Sequence, residues 1–330
     1  MIKRVFHVFD QADVGKHLVR MGRQAGRRWL RFPGLSGPLA RFKLIDYGWN
    51  RLLFMVMSGL PSSSALTLHI HGGHLSRWFS SSKSRVVLHI HGSEVRSFDR
   101  QGNVILDIDQ ETLDGIRNAD RVVYSTPDLG ALVKSIRKDA IWIPNPISPE
   151  ALMVSPTRRP SSDYAIDVFF PHAWSHAKGI DYVIALVEKL KSKPGGDKLV
   201  FAGLALGPNQ SLAVEHGFKL YPPCTRPELL RIMSKSRLVL GQGFGIVAMT
   251  DLEAMASGSN YLMFPLEPQT REAYGLTVDD QPTASINKLE EMSESYLLGD
   301  SGFISRKAFV KILRKHTPES IWRELNLVYS

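Results

Sequence analysis

The sequence predicts an α/β protein of two domains, each a parallel sheet wrapped by helices. Three observations carry this prediction. The 330 residues suffice for about two hydrophobic cores. Short apolar runs alternate with segments of helical periodicity through both halves, the pattern of successive βα units. Finally, the stretch Leu238 to Gly258, LVLGQGFGIVAMTDLEAMASG, reads as a buried strand, a turn holding Gly241, Gly243 and Gly245, and a helix beginning near Val247 or Ala248. Such a turn lets backbone approach a ligand closely, and the helix start offers unpaired N–H groups to an anion. In open α/β sheets, ligands sit beyond the carboxyl ends of the strands, where this turn falls.

Composition bounds the setting. The single cysteine, Cys224, excludes an intramolecular disulfide and a cysteine-based metal cluster, which fits a reducing compartment. No apolar run approaches the ~18 residues that span a bilayer. The opening MIKRVFHVF is patterned as a strand rather than as a leader. These features point to a cytoplasmic protein. The net charge of +9 is concentrated between Arg20 and Lys43, where Arg20, Arg23, Arg27, Arg28, Arg31, Arg41 and Lys43 occur without an acidic residue, interleaved with Trp29, Leu30 and Phe32. A basic, aromatic-bearing face suits an anionic membrane surface, at about 1 kcal/mol per basic residue. It equally suits plain solvation. Nucleic acid is not expected as a partner, because no recognisable binding module accompanies the charge.

Taken in order, Arg4 to Phe9 reads as a strand and Val14 to Ala25 as a helix after a turn containing Gly15. Apolar residues at helical spacing (Phe42, Ile45, Trp49, Leu52, Leu53, Val56) predict an amphipathic helix over Arg41 to Ser58. Two similar units follow, LTLHIHGGHLSRW from Leu66 and VVLHIHGSEVRSF from Val86, each a strand ending in His-Ile-His-Gly. His69 with His71, and His89 with His91, share a face of their strands. They are read as hydrogen-bonded strand-end residues rather than metal ligands, since carboxylate ligands at convincing spacing are missing. His89 is assigned to the core. Asp109 to Ile136 reads as helix, strand (Arg121 to Ser125), then a helix with Thr126 as N-cap and Pro127 at its first position. Ala140 to Ile143 is the last strand of the first domain, and SPTRRPSS (Ser155 to Ser162) marks a boundary. The second half offers strands at Ala165 to Phe170, Leu199 to Ala202, Leu238 to Leu240 and Tyr261 to Phe264, with helices between them and a helical tail from Glu319.

Several of these segments together resemble one family. LEAMASG (Leu252 to Gly258) is similar to the second half of the paired-glutamate segment of retaining glycosyltransferases of family 4, which have the GT-B fold. HGSEVRSF (His91 to Phe98) resembles that family's H-G-x-x-x-R loop, ADRVVYSTPDL the strand before the domain crossing, and IPNPIS its asparagine-proline turn. PHAWSHAKGIDYVIALVEKLK (Pro171 to Lys191) resembles its Lys-Gly segment, and DVGKHLVRMGRQAG (Asp13 to Gly26) its first glycine loop. ESIWRELNLVYS resembles the terminal helix.

The resemblance implies two Rossmann-like domains facing across a cleft: residues 1–155 on the acceptor side, 156–315 binding the nucleotide-sugar, and 316–330 a helix crossing back to the first. It implies a retaining hexosyltransferase (EC 2.4) that moves sugar from a nucleotide-sugar to a glycan or lipid-linked acceptor, with no metal and no cofactor beyond that substrate. Lys178 and the following helix start would stabilise the leaving diphosphate, and His91 would lie against the sugar. Glu253 would hold the ribose hydroxyls. Gly15, Gly243, Phe244 and Gly245 would line the donor, and Ser93, Glu94, Arg96 and His172 the acceptor or sugar side. Two departures stand out. The arginine that relatives place before the lysine is replaced by Ala173 or His172, and the family's first glutamate falls on Gly245 or Gln242. Nucleotide binding therefore looks kept and sugar handling altered. The alternative is a degenerate nucleotide-binding protein without turnover.

Overall fold

A computed structural model describes residues 4–8, 14–32, 66–72, 84–92, 94–98, 104–153, 165–277, 280, 286–298 and 307–329. The helix expected over Arg41 to Ser58, the Arg41 and Lys43 end of the basic segment, and Ser93 lie outside these residues. The chain forms two compact units. The first comprises Met1–Ser97, Ile105–Pro146 and His316–Ser330, and the second Phe98–Val104 and Ile147–Lys315.

In the first unit, β1 (Arg4–Val8), β2 (Trp29–Phe32), β3 (Leu66–His71) and β4 (Arg85–Ile90) belong to a wholly parallel sheet. The short strands β5 (Arg96–Phe98) and β6 (Val104–Leu106) pair separately, and β7 (Arg121–Tyr124) and β8 (Ile141–Trp142) complete the large sheet in the order β2-β1-β3-β4-β7-β8. A parallel sheet is covered on both faces, which is why its strands read as near-continuous apolar runs. The two-residue period sends Phe6, Val8, Leu68, Ile70, Leu88 and Ile90 to one face, against Ile116 of α2 (Gln110–Asn118) and Val133 of α3 (Gly130–Ile136). Val5, Val87 and Val123 face the other way. There they meet Leu18 of α1 (Val14–Gln24) and residues of the C-terminal helix, Ile321, Leu325 and Val328.

Gly15 is the second residue of α1 and is buried, so it forms part of the helix start rather than a loop ahead of it. Thr126 does not cap the following turn, because its hydroxyl is taken by Arg96. A short 3-10 turn, Pro127–Leu129, precedes α3. Burial keeps His316 neutral, with a pKa near 4, and its Nδ1–H donates to the Asn145 carbonyl (2.6 Å). This bond stitches together the two points, beside Pro146 and Lys315, where the chain leaves and re-enters the first unit.

The second unit begins with α4 (Pro149–Met153). Its sheet holds β9 (Ile166–Phe170), β10 (Phe201–Leu204), β11 (Lys219–Tyr221), β12 (Ser236–Leu240) and β13 (Tyr261–Leu262), parallel throughout, in the order β11-β10-β9-β12-β13. The helices between them are α5 (Ile180–Lys191), α6 (Gln210–Glu215), α7 (Arg226–Lys235) and α8 (Met249–Ala256). After β13 come α9 (Pro268–Tyr274), α10 (Ile286–Leu298) and α11 (Lys307–Lys315). The C-terminal helix of the first unit is α12 (Pro318–Tyr329). The sheet runs outward in both directions from its first strand, β9. Among the described residues, no helix is long and apolar enough to cross a membrane.

Candidate functional site

The reversal of strand order between β9 and β12 creates a switch point, because the connections leaving these two neighbours turn to opposite sides and leave a crevice at their carboxyl ends. The loop after β9 carries Lys178 and Gly179 into α5. The loop after β12 carries Gly241 to Gly245 toward α8. These loops touch. Gly243 N–H donates to the Lys178 carbonyl (2.9 Å), and a Cβ on Gly243 would lie 2.3 Å from the Gly179 carbonyl oxygen. Gly179 itself has φ +66° and would bring a Cβ within 2.6 Å of Gly243 Cα, so two separate constraints demand glycine there. The contact joins the loop that enters α5 to the glycine loop that leads on to α8, and both helix starts have first-turn N–H groups without an intrahelical partner.

The other glycines serve packing as well. A Cβ at Gly241 would meet the Tyr261 hydroxyl at 2.3 Å, and one at Gly245 the Glu267 nitrogen at 2.5 Å. The space the sequence suggested for a ligand is thus occupied at these positions by the protein's own chain. Phe244 stands edge-on to the exposed ring of Tyr182, at 6.2 Å between centroids. Gln242 is buried and donates from its side-chain amide to the Ile246 carbonyl (2.7 Å), so it braces the turn. Lys178 is half-buried at the end of a 3-10 turn, His176–Lys178.

Sequence reasoning missed Asp251, which organises this corner. One carboxylate oxygen accepts the Ala248 N–H (2.8 Å) at the start of α8, and the other accepts His172 Nε2–H (2.9 Å). The Tyr261 hydroxyl also bonds to it, and burial, reinforced by this carboxylate, pushes the phenol well above its ordinary pKa. His172, which the resemblance assigns to the acceptor or sugar side, is buried and supports Asp251. The signal was present as an acidic residue three positions after a helix start, a capping spacing. Its partners were not readable, because they come from β13 and the end of β9.

Glu253, expected at the cleft to hold the ribose hydroxyls, is wholly buried. Its carboxylate lies 2.7 Å from Arg226 Nε, off the line of an ideal hydrogen bond, and faces Ser148 at the entry to α4. Burial raises its pKa above the ordinary value, and Arg226 opposes this. A carboxyl raised in the folded state contributes stability that is full below its unfolded pKa and is lost as pH rises through the folded one. Glu253→Gln mimics the protonated form. Its stability relative to wild type is expected to rise from acid toward neutral pH, as read from urea unfolding across that range; parallel pH profiles would contradict this.

In the first unit, Glu94 accepts the N–H groups of His91 and Gly92 (both 2.9 Å), closing the turn after β4. Arg96 is committed to Asp128 through two bonds (2.8 and 3.1 Å) and to Thr126 (2.5 Å). Its guanidinium lies over Gly92, which has φ +113°. Both residues thus shape the loop from within. Half-buried His91 bonds Ser125 through Nδ1 and His71 through Nε2 (both 2.8 Å), so neither nitrogen is idle. Elsewhere, Lys16, Arg20, Arg23 and Arg31 line a concavity of about 500 Å³ with Val19 and Gln24, formed by the described part of the basic segment.

Two successive Rossmann-like α/β units of this kind make the GT-B fold, and the chain has the architecture of GT-B glycosyltransferases. Among solved structures, it is similar to the S. aureus TarM G117R mutant in complex with fondaparinux, alpha-GlcNAc-glycerol and UDP (TM-score 0.64, 14% identity, 85% of this chain and 59% of that one). This chain thus spans about three fifths of TarM. It matches nearly the full length of an E. coli trehalose-6-phosphate structure bound with UDP-2-fluoro glucose (TM-score 0.64, 12% identity, 99% of this chain and 98% of that one). The same holds for an alpha-glucosyltransferase in complex with UDP and a 13-mer DNA containing an HMU base (TM-score 0.59, 13% identity, 99% and 98%). No family model and no curated protein matches the sequence.

Proposed function

We propose that this chain is a glycosyltransferase of the family-4 type, which takes a sugar from a nucleotide-sugar and transfers it to an acceptor hydroxyl with retention and without a metal at the diphosphate. One observation carries the reading. The Gly179–Gly243 contact at the second unit's switch point joins the loop that carries Lys178 into α5 to the glycine loop that leads to α8, in a fold whose similar structures were solved with UDP or a UDP-sugar. As the glycosidic bond breaks, negative charge grows on the leaving diphosphate. Lys178 and the first-turn amides of α5 and α8 would meet that charge with groups already fixed in place, so no reorganisation is needed at the moment of reaction. Glu253 would bind the ribose by exchanging Arg226 and Ser148 for its hydroxyls. His91, with both nitrogens engaged, would shape the sugar side rather than transfer a proton. The basic concavity of α1 and β2 suits the phosphates of a lipid-linked acceptor at an anionic, cytoplasm-facing membrane.

Screening UDP, GDP, ADP and their sugar conjugates by thermal shift tests this, since a ligand that binds only the folded state raises its apparent stability by RT ln(1 + [L]/Kd). UDP is expected to raise the melting temperature, and its sugar conjugates to be consumed. No shift with any of these nucleotides would overturn the proposal. A shift without turnover would leave a nucleotide-binding protein in place of an enzyme.

A further inference from the structure

The second face of the first sheet, under α1 and α12, carries five histidines from three adjacent strands. The register sets His7 of β1 beside His69 of β3, and His71 of β3 beside His89 of β4. His91 stands two residues beyond His89 on the same face. Neighbouring rings lie 4.2 to 5.4 Å apart between centroids.

Their hydrogen bonds fix the protons. Ser125 donates its hydroxyl to the Ile90 carbonyl (2.9 Å) and so accepts from His91 Nδ1–H. His91 Nε2 accepts from His71 Nδ1–H, and His71 Nε2 from His7 Nδ1–H (3.1 Å). His89 Nδ1 is bonded to His69 Nε2 (3.0 Å), and His69 Nδ1 to the Tyr329 hydroxyl. The network does not close. Among the described residues, His7 Nε2 and His89 Nε2 are buried with no hydrogen-bond partner, an arrangement that leaves desolvated polar atoms uncompensated.

We propose that His71, His89 and His91 form a binding site for a late first-row divalent cation of the Zn²⁺ class. Each residue brings one nitrogen to within 4.8 Å of the others. The chemistry selects the atoms: His91 Nε2, His71 Nδ1 and His89 Nε2, the last being the nitrogen without a partner. A tetrahedral zinc ion, with bonds of about 2.0–2.1 Å, separates its ligands by roughly 3.3–3.4 Å. The 2.8 Å between His71 Nδ1 and His91 Nε2 therefore needs to open by a few tenths of an ångström.

Each ligand also has an outer partner for its other nitrogen: Ser125 for His91, His69 for His89 and His7 for His71. This is the support that metal-bound imidazoles use to fix tautomer and orientation. Binding at His71 Nδ1 moves its proton to Nε2, which then donates to His7 Nδ1; the His7 proton shifts to Nε2, and no net charge leaves. Half-buried His91 gives an entry path. The sequence reading sought carboxylates beside each His-x-His pair. Imidazoles from a neighbouring strand supply the third ligand instead.

The test titrates Co²⁺ and then Zn²⁺ into the untagged, chelator-stripped full chain. Expected are uptake of a single equivalent with micromolar or tighter affinity, visible Co²⁺ absorption that Zn²⁺ abolishes, and affinity at least about tenfold weaker in His71→Gln and His89→Gln. No uptake by the wild type, or unchanged uptake in the folded variants, overturns the site. If a variant fails to fold, the wild-type histidine ¹⁵N spectrum decides the matter. Zn²⁺-dependent shifts of His71, His89 and His91 support the site, and an unchanged spectrum overturns it. The readout is metal binding, so it stands apart from the nucleotide-sugar proposal.

Discussion

Lys178→Ala is expected to lower turnover of the nucleotide-sugar by about 10²–10³-fold while leaving the melting temperature close to wild type. The magnitude follows from removing one preorganised donor at the place where transition-state charge develops, which costs roughly 2.7–4 kcal/mol of barrier. The fold should survive, because the structural role at this position belongs to the backbone: the Lys178 carbonyl, which accepts from Gly243, is unchanged by side-chain truncation. Lys178→Arg keeps the charge but replaces a compact ammonium with a broad fork, so only partial recovery is expected. Steady-state kinetics with parallel thermal melts separate the effects. Wild-type turnover in Lys178→Ala would remove Lys178 from the site.

Asp251→Ala is expected to destabilise the second unit by about 3–5 kcal/mol, the cost of removing one member of a buried, hydrogen-bonded set with a charge in it. The carboxylate satisfies the Ala248 N–H, His172 and the Tyr261 hydroxyl. Truncation leaves buried His172 and the buried Tyr261 hydroxyl, and the half-buried Ala248 N–H, without this acceptor. Nucleotide affinity should fall with stability, because the same carboxylate closes the start of α8. Asp251→Asn preserves shape and one acceptor oxygen, so its loss should be smaller. Urea unfolding measures both variants. A change within about 0.5 kcal/mol in Asp251→Ala, the range of ordinary surface substitutions, would show that the network does not hold this corner.

The sequence by itself determined the alternation of strands and helices, because apolar period and turn chemistry are local properties. Val86 to Leu88 and Leu238 to Leu240 announce parallel strands by their continuous hydrophobicity, and Lys178-Gly179 and Gly241 to Gly245 mark the loops that flank the switch point. It also determined which histidines share a face, since that follows from the two-residue period. Partnership was decided only by tertiary structure. Strand order set β9 beside β12, so Gly179 faces Gly243 and three glycines that looked poised for a ligand fill close contacts within the protein. Helix packing buried Glu253 against Arg226 and Ser148, although its place on α8 was predictable. Register brought His7 to His69 and His71 to His89, turning two separate His-x-His pairs into one array. The reason is physical: local propensity fixes which way a side chain points along its own element, whereas its partner is fixed by long-range pairing between segments far apart in the chain, and that pairing leaves no periodic mark in either segment.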